Sequence, residues 1–206
     1  MSRDPKLGVV RPLAGLEFSQ EQISEAARTG RLLSVELEMT RACNLRCVYC
    51  YAAAGLPEAA EMSFEEIQGA VQQAVDLGAR KVVVLGGGEP CLYPRFRDLV
   101  EHLDGLGVDL EVFTNGTRMD RGLARFLHQH RVSVVVKRNA ADPGVQDALA
   151  GVPGTFAQIE GGIEALFAAG YPDPEHGLGV QTVICRHNLA EIPKLWRWAR
   201  SRGILP

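Results

Sequence analysis

Five short runs of β-branched and apolar residues recur along the chain, each separated from the next by a stretch with helical start and stop signals. The runs span residues 35–39, 81–85, 109–113, 132–137 and 179–184, and their length and composition read as strands. Ser19 with Gln22 opens a short N-terminal helix that Gly30 closes, and Ser63 with Glu66 opens a second, ended by Gly78, with Ile67, Val71, Val75 and Leu77 as its apolar stripe. A third runs from about Arg95 to Leu106, and Asp120 caps a fourth reaching about His130. Thr155 with Gln158 caps another, stopped by Gly170, and Asn188 with Glu191 caps the last, which ends before Gly203. Such alternation predicts an α/β fold: a parallel sheet with right-handed crossovers and a site at the carboxyl edge of its strands.

With 206 residues, 46% hydrophobic, the chain can bury one sizeable core, so a single main domain is expected. We place it at residues 34–206, with residues 1–33 as an N-terminal extension carrying the short helix. A net charge of −3 without runs of like charge gives no electrostatic footprint for nucleic acid or an acidic membrane surface. No stretch approaches the roughly 20 consecutive apolar residues of a membrane span, and residues 1–12 lack a signal-peptide core. A cytoplasmic protein with no membrane partner is expected.

Chemistry concentrates just after the first strand, in Cys43-Asn44-Leu45-Arg46-Cys47-Val48-Tyr49-Cys50. Three thiolates are one short of a closed four-ligand site, so on a four-iron four-sulfur cluster Cys43, Cys47 and Cys50 leave one iron open to a small molecule. Structural zinc is the alternative, yet zinc sites bring a second Cys or His pair, and Cys91 and Cys185 each stand alone. A disulfide does not suit an odd cysteine count in a chain with no secretory signal. The second strand empties into Gly86-Gly87-Gly88-Glu89-Pro90, where glycines admit close approach of a ligand to the backbone.

A Cys-x3-Cys-x2-Cys loop after the first strand, an aromatic Tyr49 before its last cysteine, and a Gly-Gly-Glu-Pro strand end resemble the radical S-adenosylmethionine (radical SAM) superfamily over residues 33–206. The resemblance implies a partial (β/α) barrel of parallel strands. It implies that Cys43, Cys47 and Cys50 ligate the cluster, that S-adenosylmethionine chelates the open iron, and that Gly87, Gly88, Glu89 and Pro90 hold its amino group. Polar groups at the fourth strand end, here Lys137 with Asn139 as a weaker neighbour, touch ribose or carboxylate in relatives. The implied chemistry is reductive cleavage of S-adenosylmethionine to a deoxyadenosyl radical, fed by a reductant such as flavodoxin or ferredoxin, and hydrogen abstraction from substrate. A small natural-product, sugar or nucleoside-like substrate is the leading expectation, and a peptide-modifying maturase of ribosomal natural products the alternative. A non-catalytic iron-sulfur or zinc protein is a reading of another class. The family core has six strand-helix units and about five are present, so the chain is expected to be a fragment lacking the end of the core.

Other polar residues read less distinctly. Thr114 and Asn115 end the third strand, where the Asn115 amide binds cofactor or substrate, or makes the Asn-Gly turn, or both. Lys137 closes a run of valines, and its ammonium is expected to reach into the crevice toward a carboxylate or hydroxyl rather than merely snorkel at the rim. Cys91 and Cys185 read as small buried hydrophobes, and His102, His128, His130, His176 and His187 show no metal-ligand spacing and receive no role. Trp196 and Trp198 are expected to pack from the last helix.

Overall fold

The computed structural model describes residues 18–206. Five strands, β1 (Ser34–Leu37), β2 (Lys81–Val84), β3 (Asp109–Thr114), β4 (Ser133–Lys137) and β5 (Leu178–Gln181), form one sheet in sequential order with every pairing parallel. Seven helices connect and flank them: α1 (Gln20–Thr29), α2 (Phe64–Asp76), α3 (Phe96–Gly105), α4 (Arg121–Gln129), α5 (Pro143–Ala150), α6 (Thr155–Ala169) and α7 (Ile192–Ser201). The sheet is the expected partial barrel.

Residue parity along the strands divides the two faces. Val82, Val84, Leu110, Val112, Val134 and Val136 are at most 4% exposed and join one core with Ile67 and Val71 of α2, Leu99 and Leu103 of α3, Leu127 of α4 and Ile163 of α6. Burying each such side chain contributes about 1.5–3 kcal/mol, which is what holds the helices on that face. The other face carries Leu85, Phe113, Val135, Lys137 and Gln181 and lines a crevice. Below them, toward the amino ends of the strands, Lys81 and Glu111 form an ion pair at 2.5 Å with side chains 4% and 1% exposed.

The capping boxes at Ser19 and Ser63 form as expected, Asp120 caps α4 through the Leu123 amide, and Gly30 and Gly170 close α1 and α6 in left-handed conformations. Other local expectations fail for identifiable reasons. Gly154, not Thr155, precedes α6, because the Thr155 hydroxyl donates to the Val152 carbonyl. Asn188 does not cap α7: its amide is buried, donating to the carbonyls of Asn139 and Val183 and accepting from the Cys185 amide. Leu77 is 56% exposed, and Phe64 and Ala74 complete the buried face of α2 in its place. Strand β5 stops at Gln181 because the Val183 amide turns to the Asn139 side chain, which leaves Ile184 62% exposed. The outer edge of β5 is not bare. Leu205 bridges to Gly179 in parallel, with the Val180 amide donating to Leu205 and the Leu205 amide to Leu178.

Candidate metal and cofactor site

The loop after β1 is pinned from three directions, and this pinning aims its cysteines. Toward β2, Thr40 bridges to Gly87, the Gly88 amide donates to Thr40 at 2.7 Å and the Glu89 amide to Ala42 at 2.8 Å. A Cβ on Gly88 would stand 2.7 Å from the Arg41 carbonyl carbon and closer still to the Ala42 carbonyl oxygen, so only glycine lets the loop lie against the strand end. Gly86 and Gly87, at φ +102° and +68°, make the turn that brings it there.

Toward α5, the Arg46 and Val48 amides donate to Ala150 and Leu149, capping the orphan carbonyls of that helix end. Toward β3, Asn44 accepts from the Asn115 amide at 3.0 Å and donates to the Thr117 hydroxyl at 2.8 Å.

Held this way, Cys43, Cys47 and Cys50 are free of disulfides and line one crevice of about 540 Å³ with Tyr49, Gly87, Gly88, Glu89, Asn115 and Lys137. The sequence-derived site residues are thus brought together, apart from Pro90. That residue is buried and opens a single turn of tighter helix over residues 90–92. The Leu45 and Ala54 amides point at the sulfurs of Cys43 and Cys50, each at 3.4 Å, and the Leu45 donor works against the effect of burial on Cys43. Burial pushes the Cys43 and Cys47 thiols up, a shift that a bound cation reverses. The donor set fits an iron-sulfur cluster better than closed zinc, since the crevice lining contains three thiols but neither a fourth cysteine nor a histidine.

Several expected site residues prove to be occupied by the protein itself. The Glu89 carboxylate is 1% exposed and accepts from the Thr114 hydroxyl at 2.6 Å, the Asn115 amide at 2.7 Å and the Cys91 amide at 3.1 Å. Burial pushes Glu89 up against these three bonds. It ties β2 to β3. Asn115 makes the turn, accepting from the Thr117 amide and hydroxyl, and spends its own amide group on Asn44. Lys137 meets neither carboxylate nor hydroxyl: its ammonium donates to the Gln181 amide oxygen at 2.8 Å and lies 5.8 Å from the Tyr49 ring centre. Burial lowers it, offset in part by the nearby Cys47.

Asn139 carries more than its sequence position suggested. Fully buried, it donates from its side chain to the Tyr49 hydroxyl, accepts from the Val183 amide, and gives its backbone amide to buried Gln146. One asparagine joins the cysteine loop, β4 and the segment after β5. Gln146 and α5 itself escaped the sequence reading, although Asp142 followed by Pro143 is an N-cap and first-turn signal and Asp142 does cap the helix. Arg138, also overlooked, is 3% exposed, paired with Glu160 and stacked 3.7 Å over the Trp198 ring, which accounts for that tryptophan. Trp196 is 45% exposed instead. Cys91 is only partly buried, beside Glu89 and Thr114, and Cys185, also partly buried, lies beyond β5 rather than at its end. Among the described residues no helix is long and apolar enough to cross a membrane.

Comparison with known proteins agrees with this geometry. The family model of the radical SAM superfamily matches residues 37–199. The chain is 32% identical to the mycofactocin maturase MftC of Mycobacterium ulcerans over 75% of this chain and 41% of that protein. It is 34% identical to the GTP 3',8-cyclase of Caulobacter vibrioides over 82% of this chain and 49% of that protein. Its fold resembles that of Streptococcus suis SuiB bound to S-adenosylmethionine, with a TM-score of 0.72 and 18% identity over 90% of this chain and 42% of SuiB. The chain thus spans about half, or less, of the curated relatives it matches. Since the matched segment includes the cysteine loop, the glycine strand end and strands β2 to β5, the chain belongs to the radical SAM superfamily.

Proposed function

We propose that residues 34–206 are the core of an enzyme in which Cys43, Cys47 and Cys50 ligate a four-iron four-sulfur cluster and the crevice beside them receives S-adenosylmethionine. The observation that carries this reading is the convergence of three free thiols and the Gly87-Gly88 strand end on one crevice whose lining has neither a fourth cysteine nor a histidine. When bound, the cluster supplies the electron, drawn from flavodoxin or ferredoxin, that cleaves S-adenosylmethionine to the radical that abstracts hydrogen from substrate. The chain's own part is positioning. Gly88 lets the loop sit close to β2, Glu89 locks the end of β3 from beneath, and Asn139 fixes Tyr49 at the rim. Lys137 places a cation near Cys47 on the β4 side, and Glu36 and Glu38 place carboxylates along β1.

For the substrate, a small natural-product, sugar or nucleoside-like molecule is our lead. A crevice of about 540 Å³ suits a small ligand, and one relative is named for cyclising a nucleotide. A peptide substrate is the second reading, favoured by the 32% identity to a mycofactocin maturase. The test is anaerobic reconstitution with iron and sulfide, followed by a deoxyadenosine assay. Cluster absorption with cofactor cleavage is expected, and both vanish in Cys47→Ala. Stoichiometric zinc with no cleavage would instead identify a non-catalytic metal protein. Deuterated nucleotides, sugars and peptides offered in turn would mark the substrate class by deuterium appearing in deoxyadenosine.

A further inference from the structure

At the end of the sheet opposite the cysteines, three side chains from two distant segments meet. His128 lies in the last turn of α4, just ahead of β4, and Asp173 and His176 lie in the connection from α6 to β5. Both imidazoles converge on one carboxylate: His128 Nε2 is 3.0 Å from Asp173 Oδ2, and His176 Nδ1 is 2.6 Å from Asp173 Oδ1. Their rings stack 3.9 Å apart at 18°, and Tyr171 walls both with its edge, its own hydroxyl fixed on the Val132 carbonyl. One ligand atom from each of the three residues lies within 4.8 Å of the other two.

We propose that His128, Asp173 and His176 form a second metal site, separate from the cysteine crevice, that takes a divalent transition ion, zinc first. Two imidazoles and a carboxylate are a nitrogen-oxygen donor set suited to zinc, and three protein ligands leave a position for water. Each of the two ring nitrogens faces its own oxygen of Asp173, and an ion held by both takes them as the stacked rings turn toward it. The His176 side chain is only 8% exposed, and its Nε2, on the side of the ring away from Asp173, is buried with no hydrogen-bond partner. His128 and Asp173 are 27% and 29% exposed, which leaves an entry path for the ion. The backbone around the site is already set. Asp173 accepts from the Glu175 and His176 amides, and Gly177 pairs with β4 through Ser133 and Val134. Binding would therefore staple the end of α4 to the entry of β5.

The experiment uses the protein after cluster reconstitution, so that the cysteines are committed to iron, with zinc chloride as the probe. Calorimetric titration is expected to show one equivalent bound at micromolar affinity or tighter, with the thermal midpoint rising by several degrees. Zinc-edge absorption spectroscopy should then show nitrogen and oxygen at about 2.0–2.2 Å and no sulfur at about 2.3 Å. Affinity should fall at least tenfold in Asp173→Asn and in His128→Gln, with iron content unchanged. Should either variant fail to fold, the spectroscopy on the unaltered protein decides alone. Sulfur in the zinc shell, undiminished binding in folded variants, or no zinc retained at micromolar concentration would each overturn the proposal.

Discussion

Replacing Gly88 by alanine adds one carbon, yet the structure places it at the most sensitive point of the cysteine loop. The new Cβ would lie 2.7 and 2.8 Å from the carbonyl carbons of Arg41 and Ala42 and nearer still to the Ala42 oxygen. All three atoms are backbone, so no rotamer change relieves the clash; the loop must retreat by about 1 Å. Two hydrogen bonds stretch with it, from the Gly88 amide to Thr40 and from the Glu89 amide to Ala42. Overpacking of this kind costs about 1–3 kcal/mol and each lost bond about 1 kcal/mol, so a total of roughly 3–5 kcal/mol is expected. Because Cys43 directly follows Ala42, the displacement also carries off a ligand, and a misplacement of about 1 Å is enough for a loss near 100-fold in activity. The assay is iron and sulfide per chain after anaerobic reconstitution, paired with urea unfolding. Gly161→Ala is the control, because its Cβ in the middle of α6 meets nothing within 4 Å. That change should raise stability by up to about 1 kcal/mol and leave cluster content alone. If Gly88→Ala loads iron as well as the control does, the argument that the glycine docks the cysteine loop is wrong.

Glu111→Gln leaves the Lys81 ammonium buried without its countercharge on the inner face of the sheet, at a cost of about 3–5 kcal/mol in urea unfolding. The paired replacement Lys81→Met with Glu111→Leu should recover most of that loss; a single variant as stable as the parent would refute the burial argument. In acid, hydrogen bonds from His130 and Arg131 hold Asp104 below the usual carboxylate range, and the Ser63 backbone amide holds Glu66 below it. Both contribute stability that is complete above their unfolded values of about 3.9 and 4.3 and is lost as pH falls through the lower folded ones. The urea midpoint should therefore drop below about pH 4, and less steeply in Asp104→Asn than in the parent.

The sheet was legible in the sequence because its signal is local. Runs of β-branched residues between capped helices leave little besides sequential parallel strands, and all five appear within a few residues of their expected positions. The cysteine loop and the glycine strand end were legible for the same reason. Side chains that serve partners far along the chain were not. Asn139 reaches Tyr49 across 90 positions and His128 reaches Asp173 across 45, and nothing in local periodicity marks either pair. Thr155 and Asn188 were misread as caps because a polar residue ahead of a helix satisfies the pattern whether its side chain turns to the helix or, as here, elsewhere. Helix α5 is short, eight residues between the caps Asp142 and Gly151, and its last carbonyls are completed by the distant amides of Arg46 and Val48.

Glu89 brings the two sequence motifs into one physical unit, and its replacement tests that unit. Three donors converge on its two oxygens: Thr114 and Cys91 on Oε1, Asn115 on Oε2. Glutamine would match the volume but turn one oxygen into an N–H group. If that group faces Asn115, two backbone and side-chain donors oppose each other; if it faces Thr114, it opposes the Cys91 amide as well. Reversal of the Thr114 hydroxyl, whose oxygen accepts from the Gly116 amide at 3.0 Å and keeps a second lone pair, relieves that donor but leaves the Cys91 amide opposed. Glu89→Gln is therefore expected to lose about 1–3 kcal/mol of stability, the cost of one unsatisfied buried group. The damage should also travel, because the displaced Asn115 holds Asn44, the neighbour of Cys43. Cluster content after reconstitution should fall in Glu89→Gln and be partly restored by Glu89→Asp, which keeps two acceptor oxygens. A glutamine variant with full stability and full iron would show instead that the carboxylate faces its ligand and not β3.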